Sequence, residues 1–394
     1  MLYITDLNLK NKRVLIREDL NVPMTSGKID NDRRIEAAIP TIQYAIDSGA
    51  HVMICSHLGR PTEGQFDQEF SLAPVAKYLE KRLSKTVRLA PFGIPNNMPL
   101  ENEILLWENV RFNAGEKNND PELAKKMAAT CDVFVMDAFA TAHRRHASTY
   151  GVAEYAPEIC GGFLLKKELE ALEKICNIPT KPTLAIIGGS KVSTKLTLLH
   201  ALIKKVDQLI VGGGIANAFI AAAGFSIGKS LYEADLLQET RKLLESAKQL
   251  NIEIPIPIDV IVAKQCNKNA ETVIKLISEI ASDDMILDIG PQTIACFIDR
   301  IKNAKTILWN GPVGVFEIDA FSAGTHQLAL TIAENKQALT VAGGGDTLAA
   351  IDKWHLGEKL SYISTGGGAF LEYIEGTPLP TIELLKRRKH AKTN

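Results

Sequence analysis

Long apolar runs are missing from this 394-residue chain. Stretches such as Val133 to Met136 or Leu184 to Ile187 fall far short of the roughly 20 residues that a bilayer-spanning helix needs. No membrane partner is expected. An excess of one charge is missing too, because 45 Lys plus Arg stand against 46 Asp plus Glu for a formal charge of -1. A dedicated nucleic-acid or acidic-membrane binder carries a global field, so no nucleic-acid partner is expected and any anion site must be local. The six cysteines are scattered without a CxxC pair, which argues against a disulfide framework or a cysteine zinc site. The opening MLYITDLNLKNKR turns polar by Thr5 and lacks the basic-then-apolar pattern of a secretory leader. A cytoplasmic location is expected.

What the chain does contain is a repeated syntax of short Val, Ile and Leu runs, each followed by a Gly, Pro, Asn or Asp break and a longer helix-like stretch. Runs that are apolar on consecutive residues predict strands covered on both faces, hence mainly parallel sheets with helices above and below. The candidates are 13 to 17, 51 to 55, 103 to 107, 132 to 136, 183 to 187, 208 to 211, 256 to 262, 306 to 309, 338 to 342 and 361 to 364. Ten such strands exceed one ordinary open domain. The grammar lapses over KKELEALEKICNIPTKP at 166 to 182, which reads as a charged helix ended by Pro179 and Pro182. A hinge is expected there, dividing 1–170 from 171–374. The basic cluster Lys386 to Lys389 near the end reads as a solvated helix end.

In open α/β sheets, ligands bind beyond the carboxyl ends of the strands, and there the two halves differ. The first half leads into Arg17, Asp19 and Asn21 in REDLNVP, His57 and Arg60 in SHLGRP, Arg111 in WENVRF, and His143, Arg144, Arg145 and His146 in DAFATAHRRH. Ten of the 14 arginines precede position 170. Planar guanidinium forks match carboxylate and phosphate oxygens bidentately, so this half is expected to hold a small, multiply anionic ligand. A lone His57 would read as a satisfied polar residue; Arg60 in the same loop makes ligand contact an equal alternative.

Runs in the second half end in glycine: AIIGGSKVSTK, IVGGGIAN, WNGPVGVFE, VAGGGDT and STGGGAF. Bare backbone between a strand and a helix lets N–H groups face phosphate oxygens. A single GGG serves a tight turn or packing as readily; several in one domain point to a nucleotide. The standard phosphate motifs are absent, since GFSIGKS at 224 to 230 has three residues between its glycines where a Walker A loop needs four, and no GxGxxG occurs. Lys191 and Lys195, on one face if helical, would then lie beside the phosphates. Two other readings stay open: a non-catalytic two-lobe binding protein, which leaves the glycine-rich half unexplained, and a dehydrogenase, which lacks its fingerprint.

The ordered set REDLNVP, SHLGRP, ENVRF, DAFATAHRRH, GGSKVSTK, GGGIAN, WNGPVGVFE, GGGDT and STGGGAFLEYIEG resembles the phosphoglycerate kinase family over about 13 to 376. The resemblance implies two Rossmann-like lobes joined by a hinge, with the tail 375–394 folding back on the first lobe, and a monomer. It implies reversible transfer of a phosphoryl group between 1,3-bisphosphoglycerate with ADP and 3-phosphoglycerate with ATP, with Mg2+ as cofactor, in glycolysis. Carried over by position, Asp19, Asn21, Arg34, His57, Arg60, Arg111 and Arg144 are implied as phosphoglycerate contacts. Lys191, Lys195, Gly213, Gly214, Asn310, Glu317 and the loop Gly343, Gly344, Gly345, Asp346 and Thr347 are implied for the nucleotide, with Asp346 nearest the metal and Glu317 at the ribose. Arg34, Lys191 and Lys195 are implied as catalytic. Thr194, Ala140, Arg145, Thr377 and Thr381 depart from the usual family pattern beside these positions.

Overall fold

The computed structural model describes residues 1–100 and 102–391, with side chains as far as residue 388. The side chain of Lys389 and residues 392–394 of the expected tail lie outside the described residues. The chain divides into two compact units, Met1–Glu170 with Pro378–Asn394, and Ala171–Thr377.

In the first unit the strands are β1 (Arg13–Arg17), the hairpin pair β2 (Met24–Thr25) and β3 (Lys28–Ile29), β4 (His51–Cys55), β5 (Thr86–Leu89), β6 (Glu103–Leu106), β7 (Val133–Met136) and β8 (Glu158–Gly161). Six of them form one parallel sheet in the order β5-β6-β4-β1-β7-β8. Val14, Leu15 and Ile16 are all buried, as two covered faces require. One face packs Val14 and Ile16 against Ile35 and Ile42 of the helix Arg33–Asp47 and Leu79 of the helix Ala73–Leu83. Each such side chain contributes about 1.5–3 kcal/mol on full burial. From β1 the chain builds outward through β4, then returns to add β7 on the other side. That reversal leaves a crevice beyond the carboxyl ends of β1 and β7.

The second unit holds β9 (Thr183–Ile187), β10 (Gln208–Val211), β11 (Asp259–Ala263), β12 (Val273–Leu276), β13 (Met285–Ile289), β14 (Thr306–Asn310), β15 (Leu339–Gly343) and β16 (Tyr362–Ser364). Five are parallel in the order β10-β9-β14-β15-β16, with the reversal between β9 and β14. Their core joins Leu184, Ile186, Ile307 and Trp309 to Phe297 and Ile301 of the helix Pro291–Asn303 and Leu328 of the helix Ala323–Glu334. Both units are therefore mainly parallel α/β sheets, the Rossmann-like class expected.

Two expectations need correction. The run at 256 to 262 was expected as a buried parallel strand, but β11 sits in a small antiparallel sheet, β12-β11-β13. Its neighbour β12 exposes Val273, Ile274 and Leu276, so the cover on both faces that a parallel sheet requires is absent at β12. The charged helix expected over 166 to 182 runs instead from Phe163 to Cys176, because Thr41 Oγ1 and Asp137 Oδ1 accept the Phe163 and Leu165 amides at 2.9 and 2.8 Å and anchor its first turn earlier. No helix among the described residues is long and apolar enough to cross a membrane.

Candidate active site

In the first unit the strand ends are locked together, Glu18 N donating to Cys55 O at 3.0 Å and Asp137 N to Arg17 O at 2.9 Å. The loop after β1 therefore lies between those of β4 and β7. Arg34, in the first turn of its helix, approaches Asp19 Oδ2 at 3.1 Å and donates to Asn21 O at 2.9 Å. Asn21 Oδ1 accepts from Gly59 N at 2.8 Å, and Arg111 donates to Gly59 O. His57 Nδ1 stands 3.9 Å from Asp19 Oδ1 and 3.3 Å from Arg17 Nη2. Asp19, Asn21, Arg34, His57 and Arg111 are thus brought into one cluster. Arg60 and Arg144 are exposed at its margin, the latter donating to His143 Nε2 at 3.0 Å.

Electrostatics report what the distances suggest. Burial, followed by the charges of Arg17, Arg111, Arg34 and Arg144, holds the His57 imidazole well below its usual range. Burial, then Arg144 and Arg17, pushes Arg111 down to about 10. His146 is held down to about 4 by burial and then by Arg17, Arg111 and Arg144. Neutral imidazoles among crowded guanidinium groups make a local positive field in a nearly neutral chain. An anion entering it would relieve the repulsion among the arginines.

Arg17 itself departs from the reading that grouped it with anion-gripping residues. It is 1% exposed, donating through Nε to Ser148 Oγ at 3.1 Å and through Nη1 to Glu18 O. Ser148 Oγ donates onward to Glu116 Oε1 at 2.6 Å. Arg17 organises the cluster from beneath, and neither Ser148 nor Glu116 belongs to a motif that would have singled it out. Arg145 lies over the Tyr150 ring, 4.9 Å from its centroid.

In the second unit the loop after β9 is a turn, closed by Lys195 N donating to Val192 O at 2.8 Å, and the helix starts only at Leu196. The condition that would put Lys191 and Lys195 on one helical face is not met. Within that turn Ser193 N and Oγ donate to Glu233 at 2.8 and 2.6 Å. Lys191 and Thr194 are exposed, Thr194 Oγ1 donating to Lys191 O at 2.9 Å. Lys195 is half-buried and donates to Asn310 Oδ1. Asn310 Nδ2 donates to Gly343 O at 2.6 Å, and Thr347 Oγ1 accepts from Gly311 N at 2.7 Å. Burial lowers the Lys195 ammonium while nearby Asp346 and Glu375 oppose the shift.

A cavity of about 340 Å³ opens beside these loops, walled by Gly213, Gly214, Glu317 and Asp346 together with apolar Ile220 and Ile286. The glycines divide into two kinds. A Cβ at Gly188 would lie 1.8 Å from Pro312 O, and one at Gly214 2.1 Å from Ser190 O, so these positions serve loop packing. Gly344 takes a left-handed φ of 100°. At Gly345 a Cβ would meet nothing within 4 Å, which leaves room for a ligand at the start of the helix Gly345–Lys353. Two further residues of the wall have no role assigned from the sequence: Asn217, which ends the GGGIAN run, and Asp288, which lies in no motif. Burial pushes Asp288 up to about 7, although it accepts from Gly324 N and Ile289 N at 2.8 and 2.9 Å.

A family profile described as Phosphoglycerate kinase matches residues 4–377. A phosphoglycerate kinase of Francisella philomiragia is 56% identical over 387 residues, 98% of each chain. The chain belongs to the phosphoglycerate kinase family. A Francisella tularensis subsp. novicida phosphoglycerate kinase is 55% identical over 98% of each chain. Among solved structures, Coxiella burnetii phosphoglycerate kinase superposes with a TM-score of 0.93 at 54% identity, covering 98% of this chain and 99% of its own. The Pyrococcus horikoshii enzyme gives 0.80 at 32% identity over 98% of both. Phosphoglycerate kinases are phosphotransferases of glycolysis, and membership makes a phosphoglycerate and ATP or ADP the substrates.

Proposed function

We propose that the first unit holds the phosphoglycerate through Asp19, Asn21, Arg34, His57, Arg60, Arg111 and Arg144, and that the second holds the nucleotide through Lys191, Lys195, Gly213, Gly214, Asn310, Glu317 and the Gly343 to Thr347 loop. The observation that carries the first assignment is the convergence of Arg17, Arg34, Arg111 and Arg144 on His57. A small ligand bearing both carboxylate and phosphate suits such a field. The open space over Gly345 and the partly buried Lys195 support the second.

Asp346 fits magnesium. It offers one exposed carboxylate beside the cavity, and among the described residues no cluster of three or more His, Cys, Asp or Glu side chains could form an all-protein metal cage. One carboxylate plus substrate phosphates is the ligand set that suits Mg2+. When bound, the ion supplies charge compensation on the phosphate oxygens.

The acceptor in the ATP-consuming direction is a carboxylate, ionised at pH 7, so the residues need supply no general base. Their work is in-line positioning and compensation of charge on the moving group, by Arg34, Lys191 and Lys195. Reacting atoms must approach to about 3–3.5 Å, so with one substrate on each unit the reading includes hinge closure. A monomeric cytoplasmic enzyme completes it. The test is a coupled assay with MgATP and 3-phosphoglycerate, paired with crystals soaked in both. No turnover, or both compounds on one unit, would overturn the assignment.

A further inference from the structure

Glu18 and Asp137 follow the last residues of β1 and β7, where Arg17 stands opposite Met136 in the parallel pairing. The next residue on each strand therefore points to the side of Ile16 and Val135, toward the helix Arg33–Asp47. Both side chains are fully buried there, and the two carboxyl groups come within hydrogen-bonding reach of each other. Asp137 Oδ1 accepts from Leu165 N at 2.8 Å. Its Oδ2 and both Glu18 oxygens are buried and have no donor among the described residues. A Cβ at Gly162 would lie 2.7 Å from Asp137 Oδ2, so a glycine carbon closes that side.

Three orphaned acceptors at one place call for a reason, and two adjoining carboxylates out of water cannot both stay ionised. One proton between them answers both demands. The surroundings decide which residue holds it. The Leu165 and Leu164 amides and the Thr41 hydroxyl favour ionised Asp137, although burial raises it to about 7. Burial and then the Asp137 charge hold Glu18 well above the usual carboxylate range, with Asp19 adding to the effect and the Arg17 guanidinium opposing it. The Cys160 thiol, a further titratable neighbour of Asp137, is kept neutral by burial.

Resting on the phosphoglycerate reading of the arginine cluster, we propose that Glu18 keeps its proton around neutral pH and donates it to Asp137 Oδ2, and that this bond makes Glu18 a positioning residue for phosphoglycerate binding, tying the loop that carries Asp19 and Asn21 to the loop that carries Arg144. Two variants separate the donor from the shape: Glu18→Gln keeps a donor of the same size, and Glu18→Leu removes it. The first measurement is infrared, on the substrate-free full chain at about pH 8, above the value that Asp137 reaches. The native spectrum minus that of Glu18→Gln should contain the carbonyl stretch of a protonated carboxyl group, and its absence overturns the inference. The second is steady-state kinetics. KM for 3-phosphoglycerate should stay within about twofold of native in Glu18→Gln and rise about fivefold or more in Glu18→Leu, with kcat and the nucleotide KM changed by less than about twofold in both. A native KM in Glu18→Leu, or a fivefold rise in Glu18→Gln, overturns the positioning role; should Glu18→Leu not fold, the infrared band and Glu18→Gln decide. A native chain that does not turn over 3-phosphoglycerate overturns the phosphoglycerate reading and the positioning role with it, whereas a missing infrared band overturns this inference alone.

Discussion

The Lys195 ammonium donates to Asn310 Oδ1, joining the turn after β9 to the end of β14. Asn310 carries the link to β15 through Gly343 O. The lysine is therefore held by a neutral amide, with further N–H donors available to a phosphate. Half-burial raises the worth of that charge, since its field is less screened than in open water.

If Lys195 follows the transferring group, Lys195→Ala lowers kcat by roughly 100-fold or more, while KM for 3-phosphoglycerate changes much less. Steady-state kinetics with both substrates varied make the distinction. Near-normal kcat in the variant would reject the role.

Two glycines separate packing from ligand approach. Gly188→Ala drives a methyl into Pro312 O and is expected to destabilise by about 3 kcal/mol. Gly345→Ala meets no neighbour and gains helix propensity, so its unfolding free energy should stay within about 1 kcal/mol of the native value or rise. Its nucleotide KM should nevertheless increase, because the methyl occupies ligand space. Denaturant unfolding and KM measured on both variants check this; a normal KM for Gly345→Ala removes the phosphate assignment at that position.

The histidines beside the arginine cluster make stability depend on pH. His143 and His146 are both held down to about 4, by burial first and by neighbouring arginines next. An unfolded imidazole titrates near 6.5, so the unfolded chain binds more protons, and the contribution present above pH 6.5 is lost as pH falls toward 4. Asp137 and Asp288, raised to about 7 by burial, act oppositely: their contribution is lost as pH rises through 7. The double variant His143→Asn, His146→Asn isolates the first effect. Its Tm should fall less than the native Tm between pH 7 and 5, and identical slopes would exclude these two residues as the cause.

Much of this architecture was legible because buried parallel strands are apolar on consecutive residues, as in Val133 to Met136, and glycine punctuates their ends. Shorter or mixed strands escaped: Thr86–Leu89 carries Arg88, and Met285–Ile289 carries Asp288, each interrupting the apolar run. The arginine loops were visible as motifs, but the burial of Arg17 was not, since its partner Ser148 is 131 positions away. Asp288, which lies in no motif, gains its meaning only from the cavity that the fold builds around it. The same limit applies to the helical spacing of Lys191 and Lys195: the segment between them is a turn in which Ser193 N donates to Glu233, 40 positions away along the chain.

Arg388 supplies the last test, on the tail. Its guanidinium donates to Ala153 O and Ala156 O at 2.8 Å each and to Pro157 O at 3.3 Å. These carbonyls close the helix Val152–Tyr155, whose end has few intrahelical partners. The final helix, Pro380–Ala391, thus caps a helix of the first unit, and Thr381 N reaches Ala142 O at 3.3 Å, next to His143 and Arg144. Arg388→Ala removes all three bonds and is expected to cost about 1–3 kcal/mol. Arg388→Lys should fall between, because a single ammonium cannot reproduce the planar fork. Thermal unfolding should rank the chains native, Lys, Ala, and the Ala variant should raise KM for 3-phosphoglycerate by loosening the Arg144 loop. Equal Tm values across the three would show that the tail docks without this residue.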